Sequence, residues 1–185
     1  MNTINANTLF GLPTENIFSE DMKQQFNDTC AIKSQEIILN MAGIPITEEE
    51  LRIEAYNNGW YTPGVGTPVK DVGKLLESHG IKVQSMQNAS LYNLIGELSQ
   101  KHPVIVGVDS GELWNSGIDE TFEDIIQGQC ADHALIVSGI EFNEDFSDGV
   151  VNLIDPGTGD FCKGYDLDQF ADAWADSDNF MVCIM

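Results

Sequence analysis

The sequence predicts an α+β domain, with N-terminal helices packed on a C-terminal antiparallel sheet. Apolar residues at helical spacing, each run opened by a capping residue, crowd the first half of the chain. Short apolar runs bounded by turn residues, the mark of buried strands, crowd the second half. No repeat or linker interrupts the 185 residues, so both halves belong to one unit.

Residues 1–20 are polar, lack periodicity and carry Gly11 and Pro13, which predicts a loosely ordered arm or strap ahead of a domain over 21–185. Asp28 or Thr29 caps a helix that begins at Cys30 and is stopped by Gly43 and Pro45. Thr47 and Glu50 form a capping box for a second helix, ending near Asn57. The loop from Asn58 to Gly66 is glycine-rich but lacks phosphate-loop spacing, so no nucleotide cofactor is expected. Thr67 caps a third helix, with Pro68 in its first turn and Val69, Val72, Leu75 and Leu76 on one face up to Gly80. Ile81, Val83 and Ser85 read as a short strand. Ser90 opens a helix through Leu98, which His102-Pro103 breaks.

Val104–Val108, Ala134–Ile140 and Val150–Ile154 then read as buried strands. Between the first two lies a long acidic loop, 109–132, containing Trp114; its length suggests a roof over a cleft. Asp166 with Gln169 caps a last helix, and Phe180–Ile184 is a final strand.

Composition excludes several classes. A hydrophobic content of 42% argues against disorder, and a net charge of −22 argues against nucleic acid or an anionic membrane as partner. Beyond Lys101 the chain has eighteen Asp and Glu against Lys163 alone, which favours a basic partner or simply a soluble surface. There is no secretory signal and no run approaching a membrane span. The widely spaced Cys30, Cys130, Cys162 and Cys183 read as reduced thiols of a cytoplasmic protein, although export without a cleaved signal fits equally.

Chemistry gathers at Cys30. A helix N-terminus favours a thiolate, the nucleophilic form of cysteine. Six positions earlier, Gln24 can donate its amide hydrogen to an oxyanion beside the sulfur. A base must come from elsewhere. His79 and His102 stand at helix exits, whereas His133 heads a strand, where rigid and partly exposed groups are presented. Asp155, ending the next strand before a Pro-Gly turn, can orient His133; Asn152 is the alternative, and a turn-forming role for Asp155 is the plain reading. Cys130 and His133, with Cys162, would make only an incomplete zinc set, and the acidic turn from Asn143 to Gly149 lacks the ligand spacing of a calcium loop, so no metal is expected.

With the order Gln24, Cys30, His133, Asp155, the chain resembles the bacteriocin-processing double-glycine peptidase family, within the papain-like cysteine peptidases. The His133–Val137 and Ile154–Gly159 segments carry the likeness best; the helix after Gly66-Thr67-Pro68 and the closing stretch from Tyr165 to Trp174 extend it. The resemblance implies Gln24 as oxyanion-hole amide, Cys30 as nucleophile, His133 as base and Asp155 as third residue. It implies a papain-like fold, thiol peptidase chemistry on a peptide or protein substrate, and no cofactor. Ala31 replaces the glycine usual after the nucleophile. The same groups would serve an isopeptidase, a deamidase or a transglutaminase-type toxin effector, and an idle module of this fold would bind a basic peptide without cleaving it.

Overall fold

A computed structural model describes residues 8–12, 22–114, 132–144 and 146–185 of the chain. Among them are seven strands, β1 (Thr8–Gly11), β2 (Val83–Met86), β3 (Val104–Val108), β4 (His133–Phe142), β5 (Gly149–Asp155), β6 (Asp160–Asp166) and β7 (Met181–Ile184). The helices are α1 (Cys30–Met41), α2 (Glu48–Asn57), α3 (Lys74–Ser78), α4 (Leu91–Ser99), α5 (Ser110–Trp114) and α6 (Leu167–Ala175). The strands form one antiparallel sheet in the order β2-β7-β3-β4-β5-β6, with β1 beside β4.

Both faces of the sheet are covered, which is why its central strands read as unbroken apolar runs. Ile105, Ala134, Ile136, Ile154 and Val182 pack towards α1, α2 and α3. Val104, Val106, Leu135, Val137 and Leu153 pack on the other face, with Leu94, Leu98, Phe170 and Trp174 from α4 and α6. This confirms the α+β arrangement and adds a second helical layer.

Several local expectations are corrected. Part of the predicted arm is strand β1, where Phe10 packs edge-on against Phe142 at 6.1 Å. The single helix after Thr67 is broken: a 3-10 turn at Val69–Asp71 gives way to α3 at Gly73, whose φ of +101° only glycine adopts readily. Buried Gln35 explains the break. Its Oε1 accepts from the amides of Gly73, Leu75 and Leu76 at 3.0, 3.1 and 3.4 Å, so a side chain of α1 caps α3. Residues 110–114 of the expected loop are α5, while 115–131, including Cys130, lie outside the described residues. Strand β6 was hidden because Lys163, Gly164 and the exposed Phe161 break the apolar alternation of an edge strand.

Candidate active site

Cys30 is the first residue of α1, and the loop before it is tied down by side chains. Thr29 occupies the N-cap position without capping; its hydroxyl donates instead to Phe26 O at 2.9 Å and to Glu48 Oε1. Glu48 is 1% exposed, and its two oxygens also accept from the Gln25 amide at 3.1 and 2.9 Å. Asp28 does not cap either. Its Oδ2 accepts from Tyr61 Oη at 2.8 Å and Gly64 N at 2.6 Å. Burial opposes its charge, but these donors and nearby Arg52 hold the Asp28 carboxyl below its ordinary range. The Arg52 guanidinium also lies 4.4 Å over the Phe26 ring.

His133 opens β4 and Asp155 closes β5. The pairing of Ile136 with Ile154 and Val137 with Leu153 brings those two strand ends together at one edge of the sheet. Nε2 of His133 lies 2.7 Å from Asp155 Oδ1, which also accepts from Gly157 N at 2.8 Å. Cys30 neighbours the imidazole and lines the same cavity. Three of the four sequence candidates therefore meet. Burial works against the imidazolium, but the bond to Asp155 and the neighbouring Cys30 sulfur outweigh it, pushing His133 up to about 10. Burial likewise works against the Asp155 carboxylate; His133, Gly157 and Trp114 outweigh it and hold the group below its ordinary value. The fallback Asn152 points elsewhere, its amide donating to Glu141 Oε1 at 2.9 Å.

Gln24 is placed differently. Its backbone amide donates to Pro156 O at 2.9 Å, linking the loop before Cys30 to the residue after Asp155. Its Nε2 donates to Phe26 O at 2.6 Å, and its Oε1 is buried without a hydrogen-bond partner. Gln24 lines a cavity of about 300 Å³ with Lys23, Trp114, His133 and Gly157. Cys30 and His133 line another, of about 430 Å³, whose walls are mainly apolar: Ala31, Val65, Val69, Val72 and Phe180. Asp28 and Asp132 also border it, and no Lys or Arg does among the described residues.

Sequence reasoning missed Glu48 and Gly157 and placed Trp114 in a loop, where the structure has α5. Glu48 had a legible signal, since with Leu51 and Ala55 it occupies the inward stripe of α2, where an acid is out of place. Among the described residues no group of three His, Cys, Asp or Glu stands ready to hold a metal, and no helix is long and apolar enough to cross a membrane. Cys162 receives a contact from Ser138 Oγ at 3.6 Å, and burial pushes its thiol up.

A cysteine at a helix N-terminus facing a strand-borne imidazole, inside this α+β frame, defines the papain-like peptidase class. The chain belongs to the Peptidase_C39 like family, whose pattern matches residues 18–180. No curated protein matches the sequence. Among solved structures, a protein from Bacillus anthracis described as a C39-like peptidase superposes with a TM-score of 0.66 at 13% identity, covering 96% of this chain and 98% of its own. The peptidase domain of Streptococcus ComA, a bi-functional ABC transporter involved in quorum sensing, gives 0.59 at 14% identity, with 88% and 94% covered. A double glycine motif protease from an AMS/PCAT transporter, in complex with its leader peptide, gives 0.54 at 15% identity, with 91% of each chain covered. At these identities the superpositions establish the fold.

Proposed function

We propose that this chain is a cysteine peptidase that hydrolyses a peptide bond through Cys30, His133 and Asp155. The observation that carries the reading is the position of His133, bonded to Asp155 and lining one cavity with the neighbouring Cys30. A histidine held protonated at neutral pH beside a cysteine sulfur is the arrangement in which thiolate and imidazolium stabilise each other.

In this reading the Cys30 sulfur attacks the carbonyl carbon, and the C=O electron pair moves onto oxygen. The first amide of α1, which has no intrahelical acceptor, and the second Nε2 hydrogen of Gln24 are the donors proposed for that oxyanion. The tetrahedral adduct collapses, the C–N bond breaks, and His133 gives its proton to the departing amine. Water then attacks the thioester while His133 takes one of its protons. The carboxylic acid leaves and the Cys30 sulfur is restored. Asp155 keeps the imidazole in the required tautomer throughout.

The substrate proposed is a peptide laid in the cleft beside Cys30. A basic residue is favoured by Asp28 and Asp132 at its border, and leader-peptide binding by one structural neighbour supports a peptide ligand. The test is a cleavage profile of a peptide library with wild type against Cys30→Ala. Wild-type-specific cuts, enriched in Lys or Arg near the scissile bond, are expected. Identical profiles would remove the peptidase reading, and cuts without basic enrichment would remove the preference alone.

A further inference from the structure

Asp155 is completely buried, yet only one of its carboxylate oxygens is occupied by His133 and Gly157. The other, Oδ2, accepts a hydrogen bond from Trp114 Nε1 at 2.9 Å. The same indole stands edge-on to the His133 ring, with centroids 5.3 Å apart and planes at 61°. It also closes over Gly157, where an added Cβ would lie 3.1 Å from Trp114 Cη2. Trp114 thus sits over the His133–Asp155 bond, between it and the 300 Å³ cavity that both Trp114 and His133 line.

This position is built, since helix α5 is fastened at both ends. At its start, Ser110 donates from N and Oγ to the two oxygens of Asp132, each at 2.9 Å, and Asp132 immediately precedes His133. Asp109 Oδ1 accepts from the Gly111 and Glu112 amides at 2.7 and 3.2 Å. At its end, Gln169 Nε2 of α6 donates to the carbonyls of Glu112 and Leu113 at 3.2 and 3.0 Å, and Leu113 is 1% exposed. One short helix therefore spans from the residue before the imidazole to the carboxylate behind it.

We infer that Trp114 is a positioning residue of the catalytic site: its N–H fixes the rotation of the Asp155 carboxylate, and its ring keeps water off the His133–Asp155 hydrogen bond. A carboxylate held at both oxygens cannot turn away from Nε2. A shielded bond lies in a medium of lower dielectric, where it orients the ring more strongly than it would in water. The role differs from the substrate-selecting roof that the loop's length suggests, because the indole contacts the acid-base pair.

The inference rests on the peptidase reading for its catalytic meaning, so its test has an arm that needs no substrate. In the full chain, Trp114→Phe removes the donor and keeps a ring; Trp114→Ala removes both. Proton NMR reads the hydrogen between His133 Nε2 and Asp155 and its exchange with water. In both variants this signal should weaken or exchange faster, and His133 should titrate lower than in wild type. With a peptide that the wild type cleaves, kcat should fall roughly 10-fold for Trp114→Phe and up to about 100-fold for Trp114→Ala, with KM little changed, as expected for a misoriented catalytic group. A His133 signal and titration identical to wild type would overturn the inference. So would a change confined to KM, which would make Trp114 a substrate contact. Should the wild type cleave nothing, the peptidase reading fails by itself, and the NMR arm still decides whether Trp114 holds the pair.

Discussion

The two sides of the site are held by different physics. His133 and Asp155 are placed by the backbone ladder of β4 and β5, whose register sets the strand ends side by side. Cys30 is placed by a loop without regular structure, anchored through side chains: Glu48 on Gln25 and Thr29, and Tyr61 with Gly64 on Asp28. A ladder spreads its restraint over many bonds, whereas a stapled loop depends on a few polar groups whose loss is felt at once. The acid-base side should therefore answer to changes in chemistry and close packing. The nucleophile side should answer to removal of single anchors.

The largest expected effect is on the ladder side. Asp155→Asn removes the strongest support of the imidazolium, so His133 should titrate well below about 10 by NMR, towards its ordinary 6.5. Its kcat/KM should fall by about 10²–10⁴-fold. Stability should follow. A histidine whose folded pKa lies above its unfolded value stabilises fully below pH 6.5, and that contribution is lost as pH rises through about 10. The lowered Asp155 has the opposite limb, contributing above 3.8 and losing it as the solution is acidified. Urea unfolding of the wild type should thus weaken from pH 6.5 towards 10, and the slope should flatten in Asp155→Asn. An equal slope in both would show that the pair does not carry the linkage.

Gly157→Ala comes next. Its Cβ would lie 3.0 Å from His133 Cε1 and 3.2 Å from Asp155 Oδ1, so the pair must shift by tenths of an ångström. About a 10- to 100-fold loss of kcat/KM, with little change in melting temperature, is expected. Unaltered kinetics would mean that the ladder tolerates more play than its packing implies.

On the loop side, Glu48→Ala removes both acceptors of the Gln25 amide and leaves the buried Thr29 hydroxyl only its bond to Phe26 O. A destabilisation of about 1–3 kcal/mol is expected in urea titration, together with slower alkylation of Cys30 by iodoacetamide. Full stability would collapse the contrast between the two sides. The smallest effect serves as control. Asp166→Ala removes the side-chain cap that accepts from the Asp168 and Gln169 amides of α6. It should cost about 1 kcal/mol and leave Cys30 alkylation at the wild-type rate.

The contrast also explains what could be read from the sequence. Cys30, His133 and Asp155 could be picked out as candidates because a nucleophile, a base and an orienter would demand particular residue types, and because strong apolar runs are bounded by the last two. Their meeting was not legible. The register of β4 on β5 shifts between Val137 and Gly139, and a mid-strand irregularity leaves no mark in a continuous apolar run. The break at Gly73 was concealed because its cause, Gln35, lies 38 residues away in sequence. Trp114 looked like part of a loop because α5 has five residues, too few for periodicity to register.

Strand β4, with ten residues, outruns its neighbour β3, which pairs only from His133 to Val137. Residues 8–11 occupy the ledge that β3 leaves, from Gly139 to Phe142, and Gly11 lies so close that an added Cβ would come within 2.5 Å of Gly139 Cα. Stripped of that segment, the strand carrying His133 would present bare amides and carbonyls, and Phe142 would lose its contact with Phe10. Exposed edges of this kind recruit other chains, and residues 8–11 cover this one.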